Sequence, residues 1–208
     1  MMDKIEIPVD ALQFIILQRT SHTKVIEDDF IDAIANEYGC MKNFLPAECS
    51  AILDIGCGVG GIDIMLYHHY HGAVNLYLLD RTYIPAGRLK YRFGGGHEFY
   101  NSFDATKSLL SMNDVAPIHM NFVNAADDFS IDIGDDIRFD LVISSVAWGF
   151  HFPVSTYLDQ VYDLMNPGGH LIMDVRKGTD GCDVLEERFG KLTQVEERRK
   201  RTRILAIK

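Results

Sequence analysis

The sequence has no apolar run long enough to cross a membrane. The longest, Leu12 to Leu17, is short and contains a Gln, against the roughly 20 residues that a spanning helix needs. The N-terminal MMDKIEIP lacks the basic start and apolar core of a cleavable signal, so a cytoplasmic location is expected. Cysteine is scarce. Cys40, Cys49, Cys57 and Cys182 show no C-x-x-C or other ligand spacing, which speaks against a disulfide framework and against a metal site. Positive charge is also in short supply, with 20 basic residues against 30 acidic ones and a net charge of −10. Residues 198 to 208 hold six of the basic side chains and no acid, leaving 14 basic against 30 acidic residues before them. A surface of that sign repels a polyanion, so nucleic acid is not an expected partner.

What the sequence does have is one organising stretch, AILDIGCGVGGIDIML, from Ala51 to Leu66. Ala51 to Ile55 reads as a buried parallel strand, Gly56, Gly58, Gly60 and Gly61 as a turn open only to residues without a Cβ, and Ile62, Met65 and Leu66 recur at helical spacing. A strand, a glycine turn and a helix make a nucleotide cradle, because the backbone can approach the ligand and the helix N-terminus offers unpaired N–H groups. Gly56, Gly58 and Gly61 also satisfy the dinucleotide pattern G-x-G-x-x-G. Asp54 discriminates, since a carboxylate beside the turn would repel a pyrophosphate but suits a cation.

The rest of the chain reads as an α/β domain. Residues 1 to 50 form a helical cap segment, with Asp10 capping a first helix and a second running from Thr23 to near Gly39, and residues 51 to 208 form the nucleoside-binding domain. A second strand, Ala73 to Leu79, ends in Asp80, placed as a carboxylate that accepts hydrogen bonds from ribose hydroxyls. A long connection from Arg81 to Asn101 precedes a helix at Ser102 to Met112, and its Gly94 to Gly96, His97, Phe99, Tyr100 and Asn101 suit a loop over a polar acceptor. Ile118 to Val123 and Phe139 to Ile143 are further strands, followed by NAADD and by SSVAWGFHFP. Pro153 to Met165 reads as a helix, HLIMDV as a strand, Asp183 to Phe189 as a short helix, and Lys191 to Glu197 with Thr202 to Ile207 as a closing hairpin around a solvated basic turn, RRKR. His68, His69 and His71 cluster at the far end of the first helix after the turn, away from the cradle.

The stretch around Asp54 resembles motif I of the class I S-adenosylmethionine-dependent methyltransferases, and LMNPGGHLIM resembles the turn before their fifth strand. The resemblance spans residues 51 to 208 and implies a three-layer Rossmann-like fold, a seven-stranded sheet that is mostly parallel with an antiparallel C-terminal hairpin strand. It also implies S-adenosyl-L-methionine as cofactor, held by Asp54, Gly56, Cys57, Gly58 and Gly60, by Asp80 and Arg81, by Asn124, Ala125, Ala126 and Asp127, and by Ser144. Ala125 departs from the pattern, which puts an acid there for the adenine amino group. The D/N-P-P-Y/F/W signature of amino-methylating nucleic-acid enzymes is absent, and no acid ends strand four as in the magnesium-dependent type. LLD, FYNS and SSVAWGFHFP resemble a group of sugar O-methyltransferases from surface-polysaccharide gene contexts.

The expected activity is therefore O-methylation of a small polar acceptor such as a sugar or sugar nucleotide. His151 is the candidate general base, because its side chain titrates near neutral pH. Tyr100, Asn101, Trp148 and Phe150 are candidate acceptor contacts. A small-molecule acceptor is the expected partner, and a homodimer is the one protein assembly considered. An N-methyltransferase of a small amine or protein, an NAD-binding oxidoreductase and a catalytically silent binding subunit stay open as alternatives.

Overall fold

A computed structural model of the chain describes residues 5–18, 26–82, 101–134 and 136–208. Two helices, α1 (Val9–Gln18) and α2 (Ile26–Met41), lead to strand β1 (Ala51–Ile55), helix α3 (Gly61–His69) and strand β2 (Asn75–Asp80). After these come α4 (Phe103–Met112), β3 (Met120–Asn124), β4 (Phe139–Ser144), β5 (Ala147–Phe152), α5 (Leu158–Leu164), β6 (Met165–Arg176), α6 (Gly181–Phe189), β7 (Leu192–Glu197) and β8 (Arg201–Ile207).

Seven strands form one sheet in the order β3-β2-β1-β4-β6-β8-β7. The first five are parallel, and β8 runs antiparallel to both β6 and β7. Leu53, Ile55, Val142, Leu171 and Met173 point to one face, where they pack with Tyr157, Leu158, Val161 and Leu185 from the segment at α5 and from α6. Ile52, Leu76, Leu78, Leu141, Ile143 and Ile172 point to the other, against Phe14, Ile15, Phe30, Ile64, Leu66 and Leu109 from α1 to α4. Strand alternation thus supplies both cores of a three-layer fold. The chain's progress across the sheet reverses between β1 and β4, and a ligand crevice opens at the carboxyl ends of the strands beside such a switch point.

Several boundaries differ from the sequence reading. Helix α1 starts at Val9, so Asp10 sits inside its first turn rather than capping it. Helix α2 continues through Gly39 to Met41, a position where a Cβ would meet nothing; the place where Thr23 would open it lies outside the described residues. SSVAWGFHFP, given no secondary structure in the sequence reading, contains a strand. It holds β5, an extended segment outside the seven-stranded sheet, packed on β6 so closely that a Cβ at Gly149 would lie 2.4 Å from Met173 Cε and 2.9 Å from Asp174 O. The helix expected from Pro153 divides into a 3-10 turn, Val154–Thr156, and α5. The NPGG turn is drawn into the start of β6, where Gly168 adopts φ +80° and donates to Lys208 O at 2.7 Å. The RRKR segment is only partly solvated, because Arg201 folds back onto Asp174 and Glu37.

Candidate cofactor site

The glycine turn is built by backbone conformations that a side chain would obstruct. Gly56 has φ +82°, and a Cβ there would lie 2.2 Å from Ala147 Cβ. Gly58 and Gly60 are also left-handed, at φ +55° and +79°. Gly61 opens α3 against α2, where a Cβ would come within 2.7 Å of both Phe30 and Ile34. The turn hangs from β2: Gly56 N–H donates to Leu79 O at 2.7 Å, and Gly58 N–H donates to Asp80 Oδ2 at 2.7 Å.

Asp80 is fixed at both oxygens, since Oδ1 accepts the Arg81 N–H at 2.7 Å. Burial raises its pKa to about 6, partly offset by the donors from Arg81, Gly58 and Asn101. A carboxylate has about four lone-pair sites, so acceptor capacity is left for about one further donor such as a hydroxyl. Arg81 reaches across to β3's end, where its Nε donates to Ala125 O at 3.4 Å and its guanidinium pairs with the exposed carboxylate of Asp127. Asn124 is exposed at the end of β3, and Ala126 O accepts the Phe129 N–H at 3.1 Å.

Between these elements lies an open crevice lined by Ile55, Gly56, Leu79, Asp80, Ala125, Ala147, Trp148, Phe152 and Tyr157. Its walls are apolar and aromatic, with one carboxylate at the rim, the composition of a site for a flat nucleoside. The expectations for Asp80 and Ala125 fall within it. Trp148, expected at an acceptor, is instead fully buried: its indole N–H donates to Val154 O at 2.8 Å, and its ring meets Tyr157 edge-on. Asn101 is also corrected, because its buried amide donates to Gly58 O at 2.7 Å and so braces the glycine turn rather than facing an acceptor. Ser144 is corrected too. Its hydroxyl donates to Ile55 O at 2.8 Å and accepts the Trp148 N–H at 3.0 Å, joining β1 to β5. Tyr100 and most of the long connection lie outside the described residues.

His151 and Phe150 stand on β5, beyond the residues that line the crevice. Their rings meet edge-on at 5.1 Å, and the Arg176 guanidinium lies 5.3 Å from the Phe150 ring centre. Burial first, and then the charge of Arg176, lower the His151 pKa, so the imidazole is neutral at neutral pH.

On the α2 side of the turn two groups of buried charge lie side by side. Asp54, from β1, meets Asp63, from the first turn of α3, carboxyl to carboxyl, with both residues almost fully buried. Among the described residues neither Asp63 oxygen has a hydrogen-bond donor. Burial, followed by the neighbouring carboxyl, pushes Asp54 well above the ordinary carboxylate range, and burial raises Asp63 to about 7. Next to them Arg203 donates from Nε and Nη2 to the two oxygens of Asp174, both at 2.9 Å, and from Nη2 to Glu37 Oε2 at 2.8 Å.

Sequence reasoning missed Asp63, Thr106 and Tyr157. Thr106 donates to Gly58 O at 2.9 Å beside Asn101. Its signal was the spacing Asn101-Ser102-Thr106, with Ser102 as the N-cap of α4, Asn101 just before it and Thr106 just inside the helix. Asp63 sits between Ile62 and Ile64, and its i+4 partner Tyr67 is buried with it, so an acid was readable at an inward-facing helix position.

No protein-family model matches the chain, and comparison with curated proteins gives no match. Solved structures do match in fold. A methyltransferase from Pyrococcus furiosus superposes with a TM-score of 0.56 at 17% identity, covering 90% of this chain and 86% of that one. An O-methyltransferase family protein from Burkholderia thailandensis gives 0.53 at 13% identity, over 95% of this chain and 64% of that one. The 16S rRNA N2 G1207 methyltransferase of T. thermophilus, solved with AdoMet and guanosine, gives 0.53 at 14% identity, over 86% of this chain and 42% of that one. The seven-stranded sheet with its antiparallel C-terminal strands is the Rossmann-like fold of the S-adenosylmethionine-dependent methyltransferases.

Proposed function

We propose that this chain is an S-adenosylmethionine-dependent methyltransferase that methylates an oxygen of a small polar acceptor, such as a sugar or sugar nucleotide. The observation that carries the reading is the union of a Cβ-excluding glycine turn with Asp80 fixed at its rim and a carboxyl pair beneath it. Carboxyl groups at these places favour a cationic sulfur nucleoside and disfavour the pyrophosphate of a dinucleotide, which would meet no basic side chain on the turn. The antiparallel closing strand points the same way.

When bound, S-adenosylmethionine supplies an electrophilic methyl group. The Asp80 carboxylate would accept a ribose hydroxyl, while Leu79, Ala125, Phe152 and Tyr157, which line the crevice, would hold the base and exclude water. Holding acceptor and methyl in line is worth up to about 7 to 11 kcal/mol in favourable cases. His151 takes the proton of the acceptor hydroxyl, which its neutral form at neutral pH allows. Phe150 and Tyr100 are the remaining acceptor contacts of the proposal, and residues 1 to 50 are its cap. The small, acidic character of the chain supports a small-molecule acceptor over nucleic acid. Four free cysteines suit a reducing cytoplasm. Among the described residues no helix is long and apolar enough to cross a membrane. The homodimer gains no support from the comparisons and forms no part of the proposal.

Single-turnover methyl transfer to a panel of nucleotide sugars tests the reading. His151→Gln is expected to slow transfer by about 10² to 10⁴ while leaving cofactor affinity in place. Equal rates in the two proteins would remove His151 as base, and a neutral amine would then become the preferred acceptor.

A further inference from the structure

Asp63 is not among the residues that line the crevice, yet its placement is costly. A carboxyl group removed from water without a donor is strongly disfavoured as an anion, and here a second carboxyl faces it. Asp54 is 2% exposed and Asp63 0% exposed, and among the described residues neither Asp63 oxygen meets a hydrogen-bond donor. The surrounding charges do not relieve the pair. Asp80 on β2 and Glu37 on α2 add negative potential, and the Cys57 thiol in the turn is held neutral by burial and by Asp80, Asp54 and Asp63. The guanidiniums of Arg203 and Arg201, which meet Glu37, are bonded to it and to Asp174. A proton shared between the two carboxyls accounts for this arrangement among the described residues.

We infer that Asp63 is part of the cofactor site, forming with Asp54 a proton-sharing pair that gives its proton to solvent when the cationic methyl donor binds and regains it when neutral S-adenosylhomocysteine remains. The inference rests on the cofactor reading above and deepens it. S-adenosylmethionine carries an ammonium, a sulfonium and a carboxylate, for a net charge of +1, and loses the sulfonium charge on transfer. A buried pair beneath the turn feels that difference through a medium of low dielectric, so the donor favours the ionised pair more than the product does. The site would thereby discriminate between donor and product by charge, without a contact to the methyl group.

Calorimetric titration near neutral pH in phosphate and in Tris, buffers whose ionisation enthalpies differ, counts the protons exchanged. With the wild-type protein, S-adenosylmethionine is expected to release up to one proton and S-adenosylhomocysteine distinctly less. Asp80, which meets the ribose of both ligands, contributes equally and cancels in that difference. Donor affinity is expected to rise by up to about tenfold per pH unit between about pH 6 and about pH 8, and product affinity to rise less. Asp63→Asn, which supplies Asp54 with an amide donor, is expected to abolish the release and flatten the donor's pH dependence. Equal proton counts for the two ligands, or an unchanged count in the variant, would overturn the inference while leaving the cofactor reading intact. Should the variant fail to fold, the difference between the two ligands in the wild-type protein decides alone. Absence of heat with either ligand would overturn both readings.

Discussion

Two groups of buried and half-buried carboxylates lie under α2, and their chemistry is opposite. Asp174 and Glu37 are matched by Arg203 and Arg201 through a network that ties β6, β8 and α2 together. Arg203 is nearly fully buried, and although burial opposes its charge, Asp174 and Glu37 hold its pKa above the ordinary value. Burial pushes Glu37 up, but the two arginines outweigh it and leave it below the ordinary range. Among the described residues Asp54 and Asp63 show no such cation: each faces the other's carboxyl, and neither Asp63 oxygen has a hydrogen-bond donor. A network complete within the chain is a structural device, whereas acids left without a counter-charge at the carboxyl edge of β1 point to a charge brought from outside.

Perturbing each side separately sharpens the contrast. The largest effect is expected for Arg203→Met, which strands Asp174 and Glu37 without their main partner; unfolding by denaturant should show a loss of about 3 to 5 kcal/mol. An effect below 1 kcal/mol there would mean that the network is not structural. Asp80→Asn removes a charged acceptor from the turn and the ribose, and equilibrium dialysis should find S-adenosylmethionine affinity lowered by about tenfold to a hundredfold, the equivalent of ~1.5 to 3 kcal/mol. Trp148→Phe deletes the donor to Val154 O in the crevice wall, with an expected cost near 1 kcal/mol and little change in acceptor affinity.

The smallest change concerns the ligand-free protein. Because the Asp63 pKa is raised, the folded chain holds more protons than the unfolded one between the ordinary carboxylate range and about 7, so this group's contribution to stability falls as pH rises through that window. Thermal unfolding of Asp63→Asn should therefore gain on the wild-type protein from about pH 4 to about pH 7. Parallel curves for the two proteins would place the proton elsewhere.

Much of the first half of the site was legible because its constraints are local. A Gly at φ +82° between a buried strand and a helix leaves its mark in the sequence, as does an acid at the end of the next strand. The apolar run of β1 likewise read as a buried parallel strand, as it is. What could not be read depends on which way a side chain turns. Asn101 and Trp148 carry the chemistry of an acceptor pocket, yet one braces Gly58 and the other is locked to Val154. SSVAWGFHFP carries no secondary structure in the sequence reading; its strand lies outside the main sheet and carries Gly149 at φ +83°. Val146, a β-branched residue at φ +56°, adds strain there of about 1 to 3 kcal/mol. Its N–H is held by Asp174 at 3.2 Å, which links β5 to the arginine network that no local pattern predicts.

The central claim is that the glycine crevice receives a cationic sulfur nucleoside. Equilibrium dialysis of the wild-type chain against labelled S-adenosylmethionine, with unlabelled S-adenosylhomocysteine and NAD as competitors, addresses it most directly. The account predicts saturable binding at one site per chain that S-adenosylhomocysteine displaces and NAD does not. Displacement by NAD, or no retained label at any concentration, would contradict it.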